Sequence, residues 1–260
     1  MRVKVNGISI NYRLTGQGKT LVLTHGLGGS LAAWQDLAPE MSRHYQVLTW
    51  DVRGFGESDK PEGDYSPQLF SQDLHGLLEV LSIEKVYLLG HSMGGVIAQR
   101  FTLDYPRQVD ALILVATSSE VGPRATEAWA ERTRLVEEQG MKGLTQFTHR
   151  LYAPGFGEAH PQVVDRRVEE LLKNDPKAYI RATRAISKYN YTPELGRINC
   201  PTLILQGDKD IVTPPGGSVI MSRHIPGSRL KIYENCGHGI PGEKPEEFRD
   251  DLLSFLRDHG

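Results

Sequence analysis

The sequence predicts an α/β protein, a mostly parallel eight-stranded sheet flanked by helices and interrupted by a helical insertion. Three observations carry that prediction. The N-terminus alternates apolar and polar residues about a turn signal, six short and continuously apolar runs are separated by helical patterns, and one long gap between two of those runs holds helical patterns only.

Val3 and Val5, then Ile8, Ile10 and Tyr12, alternate on either side of Asn6-Gly7, a pair suited to the type I′ turn of a β-hairpin. The apolar runs are TLVLT (20–24), QVLTW (46–50), KVYLLG (85–90), ALILVA (111–116), TLILQ (202–206) and RLKIY (229–233). Short runs without alternation are what strands buried on both faces look like. Helix patterns fall at 31–43, 67–82, 93–105, 215–224 and 244–258, and strand-helix-strand repetition argues for parallel pairing. Between Ser118 and Arg197 nothing reads as a strand, but EAWAERTRLVEEQG (127–140) and DRRVEELLKN (165–174) are amphipathic and are broken at Pro154, Gly155, Pro161 and Pro176. The expected division is a core of 1–118 and 196–260 with a helical cap, 119–195, shaping the site, because long insertions on such sheets carry binding surfaces.

A chain of 260 residues, 39% hydrophobic and 24% charged, has the composition of an ordinary globular protein with one substantial core. Its net charge of -2 supplies no basic face for a phosphate backbone, which argues against a nucleic-acid partner. The start, MRVKVNGISINYRL, lacks the apolar centre of a signal peptide and no run approaches membrane-spanning length, so a cytoplasmic location without a membrane partner is expected. The two cysteines, Cys200 and Cys236, lack metal-ligand spacing. Cys200 precedes its strand and Cys236 follows the next, so on parallel neighbours the thiols lie roughly 15–20 Å apart, too far for a disulfide.

The chemistry begins at GHSMGG (90–95), where G-x-S-x-G stands between an apolar run and a helix pattern. A sharp strand-to-helix turn there lifts the Ser92 hydroxyl above the sheet edge, and Gly90 and Gly94 remove the side chains that would collide around it. A serine nucleophile needs a general base. Of nine histidines, His238 stands in a Gly-flanked loop just past RLKIY, at the carboxyl edge where α/β proteins place their sites. His91 adjoins Ser92, but neighbouring side chains on such a turn diverge, and it is read as structural. The loop HGLGG (25–29) follows TLVLT at the same edge, so the N–H groups of Leu27 and Met93 could hold a tetrahedral oxyanion. A phosphate-binding loop is the rival reading, and it fails because neither GK[ST] nor G-x-G-x-x-G is present.

The acid that orients the base is harder to choose. Asp208 and Asp210 both follow TLILQ, and residues two apart in extended chain face the same way, so alternation does not separate them. Asp210 lies further out beside Ile211, Val212 and Pro214, whereas Asp208 next to Gly207 looks like a turn residue; Glu120, past ALILVA, is a further candidate. Trp34, Trp129, Phe147, Tyr152, Tyr189 and Tyr191 are candidate pocket walls.

In HGLGG (25–29), DVRGFGESDKP (51–61), GHSMGG (90–95), GDKDIVTP (207–214) and GHGIPGEKPEEF (237–248), the chain resembles an α/β-hydrolase over essentially its full length. The resemblance implies Asp210 as the acid, because the family pattern is G-x-x-D with a proline a few residues on, and implies that Asp51, Arg53 and Ser58 brace loops. Carboxylesterases and 3-oxoadipate enol-lactonases look most similar, which implies hydrolysis of a small-molecule ester or lactone through Ser92, Asp210 and His238 with no metal or organic cofactor. Serine at the elbow argues against haloalkane dehalogenases and epoxide hydrolases, which use aspartate there. Carbon–carbon bond hydrolases and cofactor-free perhydrolases share the three residues, although the former tend to carry tryptophan after the histidine, where this chain has Gly239. A small-molecule receptor on a hydrolase fold is the alternative outside enzymology.

Overall fold

The structure, a computed structural model, describes residues 1–259, so Gly260 at the end of the expected core lies outside the described residues. Asn6 and Gly7 take φ values of 48° and 78° and join β1 (Arg2–Val5) to β2 (Ile8–Thr15). A type I′ turn needs left-handed backbone at both central positions, which these two residue types tolerate. β2 pairs antiparallel with β4 (Gln46–Trp50), and β4 runs parallel with β3 (Thr20–Thr24), β5 (Val86–His91), β6 (Val109–Val115), β7 (Thr202–Gly207) and β8 (Arg229–Tyr233). The spatial order is β1-β2-β4-β3-β5-β6-β7-β8.

β3 and β7 are buried at every residue, as strands covered on both faces must be. β8 departs from that expectation, with only Tyr233 buried, because it forms the outer edge of the sheet. Side chains alternate across the pleat: Val22 and Leu88 join one apolar layer with Phe70 and Phe101, while Leu21, Leu23 and Tyr87 join the other with Phe248 and Leu252.

The helix expected over 31–43 divides into a 3-10 turn, Leu31–Trp34, and α1 (Leu37–Met41). One continuous helix would need Pro39 to donate an N–H to the Gln35 carbonyl, and proline has none. α2 (Pro67–Val80) and α3 (Met93–Asp104) follow as crossovers. Between β6 and β7 come α4 (Pro123–Gln139), α5 (Thr145–Thr148), α6 (Phe156–Ala159), α7 (Pro161–Leu172) and α8 (Pro176–Ala185), and the base of this insert is closed by an isolated antiparallel bridge between Glu120 and Asn190. α9 (Pro215–His224), α10 (Ile240–Glu243) and α11 (Pro245–Asp258) complete the chain. Among the described residues no helix is long and apolar enough to cross a membrane.

One feature of the strand order positions the site. β3 is flanked by β4 on one side and β5 on the other. The connections leaving the carboxyl ends of β3 and β5 therefore part in opposite directions and open a crevice between them.

Candidate active site

Ser92 occupies the turn between β5 and α3 with φ 53° and ψ -117°, a conformation that costs a non-glycine residue energy and persists only where the surroundings impose it. Here they do. The Ser92 N–H donates to the Val115 carbonyl at 2.9 Å, and its own carbonyl accepts from the Gly95 N–H at 2.8 Å and the Thr117 hydroxyl at 2.9 Å. A Cβ at Gly90 would collide with the Gly94 carbonyl, and one at Gly94 with the Thr24 carbonyl of β3. Met93 begins α3, so its N–H has no acceptor within the helix and lies at the positive end of the helix dipole.

Loop 25–29 leaves β3 beside this turn, close enough that a Cβ at Gly26 would lie 3.3 Å from the Ser92 Cβ. The buried His25 imidazole accepts the Val52 N–H on Nε2 at 3.1 Å, so Nδ1 carries the hydrogen and donates to the Gly26 carbonyl at 2.8 Å. Burial lowers the His25 pKa and keeps the ring neutral. Because the peptide unit is planar, anchoring the Gly26 carbonyl also aims the Leu27 N–H, which points the opposite way. Further along, the Leu31 N–H donates to Asp51 Oδ1 at 2.7 Å, and Asp51 Oδ2 accepts from Asn11 Nδ2 and the Glu57 N–H, each at 2.8 Å. The Ser58 hydroxyl donates to the Asp51 carbonyl at 2.7 Å, and Arg53 is paired with buried Asp73 at 2.6 Å.

His238 follows β8, and its Nδ1 lies 2.8 Å from Asp210 Oδ2. Asp210 is 3% exposed. Its Oδ1 accepts the N–H groups of Val212 and Thr213 at 2.8 and 2.9 Å, and its Oδ2 accepts the Thr213 hydroxyl at 2.8 Å and Gln206 Nε2 at 3.0 Å. Burial alone would raise its pKa, but His238 and the Thr213 donors outweigh that and hold the carboxyl well below the usual range. An ionised Asp210 has no proton to give, so His238 Nδ1 is the donor, and in the neutral form of the ring the lone pair is then on Nε2. Asp208 goes elsewhere: Oδ1 accepts the Cys236 N–H at 3.1 Å and Oδ2 pairs with Lys209 at 2.8 Å. The chain turns after Gly207, where the Asp210 N–H donates back to the Gly207 carbonyl at 3.3 Å, so the two aspartates no longer share a face. Glu120 accepts the Thr192 hydroxyl at 2.9 Å at the base of the insert.

The His238 backbone is held from three directions. Its N–H donates to the Leu151 carbonyl at 2.6 Å, and its carbonyl accepts His91 Nε2 at 2.9 Å. The flanking Gly237 and Gly239 N–H groups donate to Glu243 at 3.0 and 3.2 Å, and Glu243 also accepts the Ala153 N–H at 2.8 Å. Burial, with the neighbouring His238, pushes the His91 pKa down to about 3, so His91 is a neutral Nε2–H donor at neutral pH.

Leu27, Ser92 and His238 line one cavity of about 490 Å³, whose walls include Trp34, Trp129, Phe147 and Tyr152. Tyr189 and Tyr191 are not on that wall. The Tyr189 hydroxyl lies 3.0 Å from Ser118 Oγ, and the Tyr191 N–H donates to the Ser119 carbonyl at 2.7 Å, both at the insert's base. Sequence reasoning also passes over His25, Gln206, Thr213, Glu243 and Arg167. Gln206 carries a visible signal, a polar residue closing an apolar run, and Thr213 acts locally on the Asp210 carboxylate three positions away; His25, Glu243 and Arg167 act by reaching backbone groups that local pattern does not reveal.

A sequence profile for the α/β hydrolase fold matches residues 19–245. The 3-oxoadipate enol-lactonase 2 of Acinetobacter baylyi is 30% identical over 253 residues, 96% of this chain and 94% of its own. The 2-hydroxy-6-oxo-6-phenylhexa-2,4-dienoate hydrolase of Comamonas testosteroni is 27% identical over 261 residues, 95% of this chain and 91% of its own. Among solved structures, a thermophilic esterase from Thermogutta terrifontis superposes with a TM-score of 0.93 at 29% identity, covering 100% of this chain and 99% of that one.

Proposed function

The chain belongs to the α/β-hydrolase family, and from that premise we propose that it is a serine hydrolase cleaving a carboxylic ester or lactone of a small to medium acyl group. Ser92 attacks the carbonyl carbon while His238 Nε2 takes its proton, Asp210 steadies the imidazolium, and the N–H groups of Leu27 and Met93 hold the oxyanion. His238 then protonates the leaving alcohol and activates the water that releases the acyl group from Ser92.

The observation that carries this reading is the 2.8 Å bond from His238 Nδ1 to a buried, ionised Asp210, on the same cavity as a strained Ser92. A histidine held in that way keeps Nε2 basic and is stabilised when it becomes charged. Residues 119–195 act as a cap on a core of 1–118 and 196–260, contributing Trp129, Phe147 and Tyr152 to the cavity wall. A volume of about 490 Å³ suits a small to medium substrate. Position 239 favours ester over carbon–carbon cleavage, because the Tyr152 ring is packed where a side chain would stand, its Cε1 only 2.6 Å from a Cβ built on Gly239.

The test is hydrolysis of a small aryl ester by wild type and Ser92→Ala, followed by a panel of acyl lengths, lactones and vinylogous diketones. Ser92→Ala is expected to lose roughly 10⁴–10⁶-fold in kcat with its circular dichroism unchanged. Retained turnover in that variant sinks the assignment, and a wild type that binds members of the panel without turning any of them over favours the receptor reading instead.

A further inference from the structure

The insert holds the loop that carries Leu27 by its carbonyl groups. Arg167 on α7 donates from Nη2 to the Leu27 carbonyl at 2.9 Å and from Nη1 to the Gly28 carbonyl at 2.8 Å. Asn174, just beyond the end of α7, donates to the same Gly28 carbonyl at 3.0 Å. The Ser30 hydroxyl donates to Glu170 Oε1 at 2.8 Å, and Glu170 Oε2 lies 3.4 Å from Arg167 Nη1. A planar guanidinium bridging two successive carbonyls defines their directions, which a single point donor would not do.

Packing points the same way. Gly28 has φ +70°, and a Cβ there would stand 3.1 Å from the Tyr179 ring, 3.2 Å from Leu171 Cδ1 and 3.4 Å from Arg167 Nη2. Helices α7 and α8 are thus pressed flush against the loop backbone. His25 anchors the peptide plane before the Leu27 Cα and Arg167 the plane after it, so both Leu27 dihedrals are set, one by the core and one by the insert.

We infer that Arg167 is a positioning residue for the oxyanion hole: by gripping the Leu27 and Gly28 carbonyls it locks the peptide plane after Leu27, so that the Leu27 N–H stays where His25 aims it, and the insert thereby completes the reactive site. The part given to Leu27 rests on the ester-hydrolysis reading; the grip itself does not. Misplacing one donor by a fraction of an ångström is costly because preorganisation is what the oxyanion hole contributes.

The experiment compares Arg167→Met, Arg167→Lys and Asn174→Ala with wild type in kcat, KM, affinity for an aryl boronic acid and hydrogen exchange at residues 25–30. A boronate adduct on Ser92 puts an oxygen in the oxyanion hole, a contact that a stability defect elsewhere would not select. Arg167→Met is expected to lose about 10–100-fold in kcat and a matching factor in boronate affinity, with KM within about 3-fold. Arg167→Lys recovers part of the loss, Asn174→Ala loses about 2–3-fold, and the Leu27 to Ser30 amides exchange faster in both Arg167 variants. Unchanged kcat and boronate affinity overturn the inference, as does a loss confined to KM, which would make Arg167 a substrate ligand. If Arg167→Met does not fold, the lysine and Asn174 variants decide by the same criteria. Should wild type hydrolyse no ester, the proposed function fails by itself, and unchanged exchange at 25–30 in Arg167→Lys is then the result that removes the grip.

Discussion

Apart from His238, the side chains and N–H groups that bond the Asp210 carboxylate belong to Gln206, Val212 and Thr213, all within four positions of it. The loop that carries Leu27 has local bonds, from His25 and the Gly29 N–H to the Gly26 carbonyl, but is tied as well to Asp51, Arg167, Glu170 and Asn174, from 20 to 146 positions away. Closing a few-residue turn costs little entropy, so the acid loop can hold its shape as a local motif. The other loop reaches its geometry only when the sheet and the insert have both come together. Disturbing the insert should therefore be felt at the oxyanion side of the cavity before the acid side.

The largest effect expected is Asp210→Asn, about 10⁴-fold in kcat, because the amide fails to hold His238 in the required tautomer. The downfield His238 Nδ1 proton in NMR should vanish in that variant and persist in Arg167→Met; its loss in both would end the distinction between the two loops. Next is Gln206→Met, which removes the donor to Asp210 Oδ2 and to the Thr213 and Gly207 carbonyls. Thermal and urea unfolding should show a loss of about 1–3 kcal/mol. Activity should fall about 10-fold while boronate affinity stays within about 3-fold of wild type, since the change lies on the acid side.

Acid titration probes the join between the two regions. In the unfolded chain His91 protonates near its ordinary value of 6.5, whereas in the fold it resists until about 3. Between those values only the unfolded chain gains the proton, so stability is full above 6.5 and declines as the pH falls. Asp210 adds a second decline, present as stabilisation above its ordinary value of 3.8 and lost as the pH drops further toward its depressed folded value. Urea unfolding from pH 7 to 5 should be shallower in His91→Gln, which preserves a donor for the His238 carbonyl; an unchanged slope would assign the decline to His25. The smallest effect is Asp208→Asn, within about 3-fold in kcat, since Asp208 bonds the Cys236 N–H and Lys209 rather than His238. A larger loss there than in Asp210→Asn would exchange the two residues.

The parallel strands are legible because burial on both faces leaves short, largely apolar runs: β3 and β4 coincide with 20–24 and 46–50, and β8 coincides with 229–233 although Arg229 and Lys231 mark it as an edge strand. The strand–serine–helix turn is legible because its glycines, two residues either side of Ser92, are demanded by close backbone contacts, Gly90 with the Gly94 carbonyl and Gly94 with the Thr24 carbonyl. The two aspartates are not separable by alternation, because alternation ends where the chain turns at Gly207. Tyr189 and Tyr191 illustrate a second limit, since the chain alone does not say which aromatics in a helical segment look into a cavity and which close its base. Arg167 and Glu243 mark the third. What they do depends on carbonyls and N–H groups up to 140 and 90 positions away.

The flush packing of the insert on Gly28 bears on how such proteins can be recombined. A chimera receiving residues 119–195 from a relative while keeping its own HGLGG would meet unfamiliar side chains at a backbone where even a Cβ on Gly28 would stand only 3.1 Å from the Tyr179 ring. Residues 25–31 and the insert are in that sense one exchangeable part, distant in sequence and inherited profitably only together.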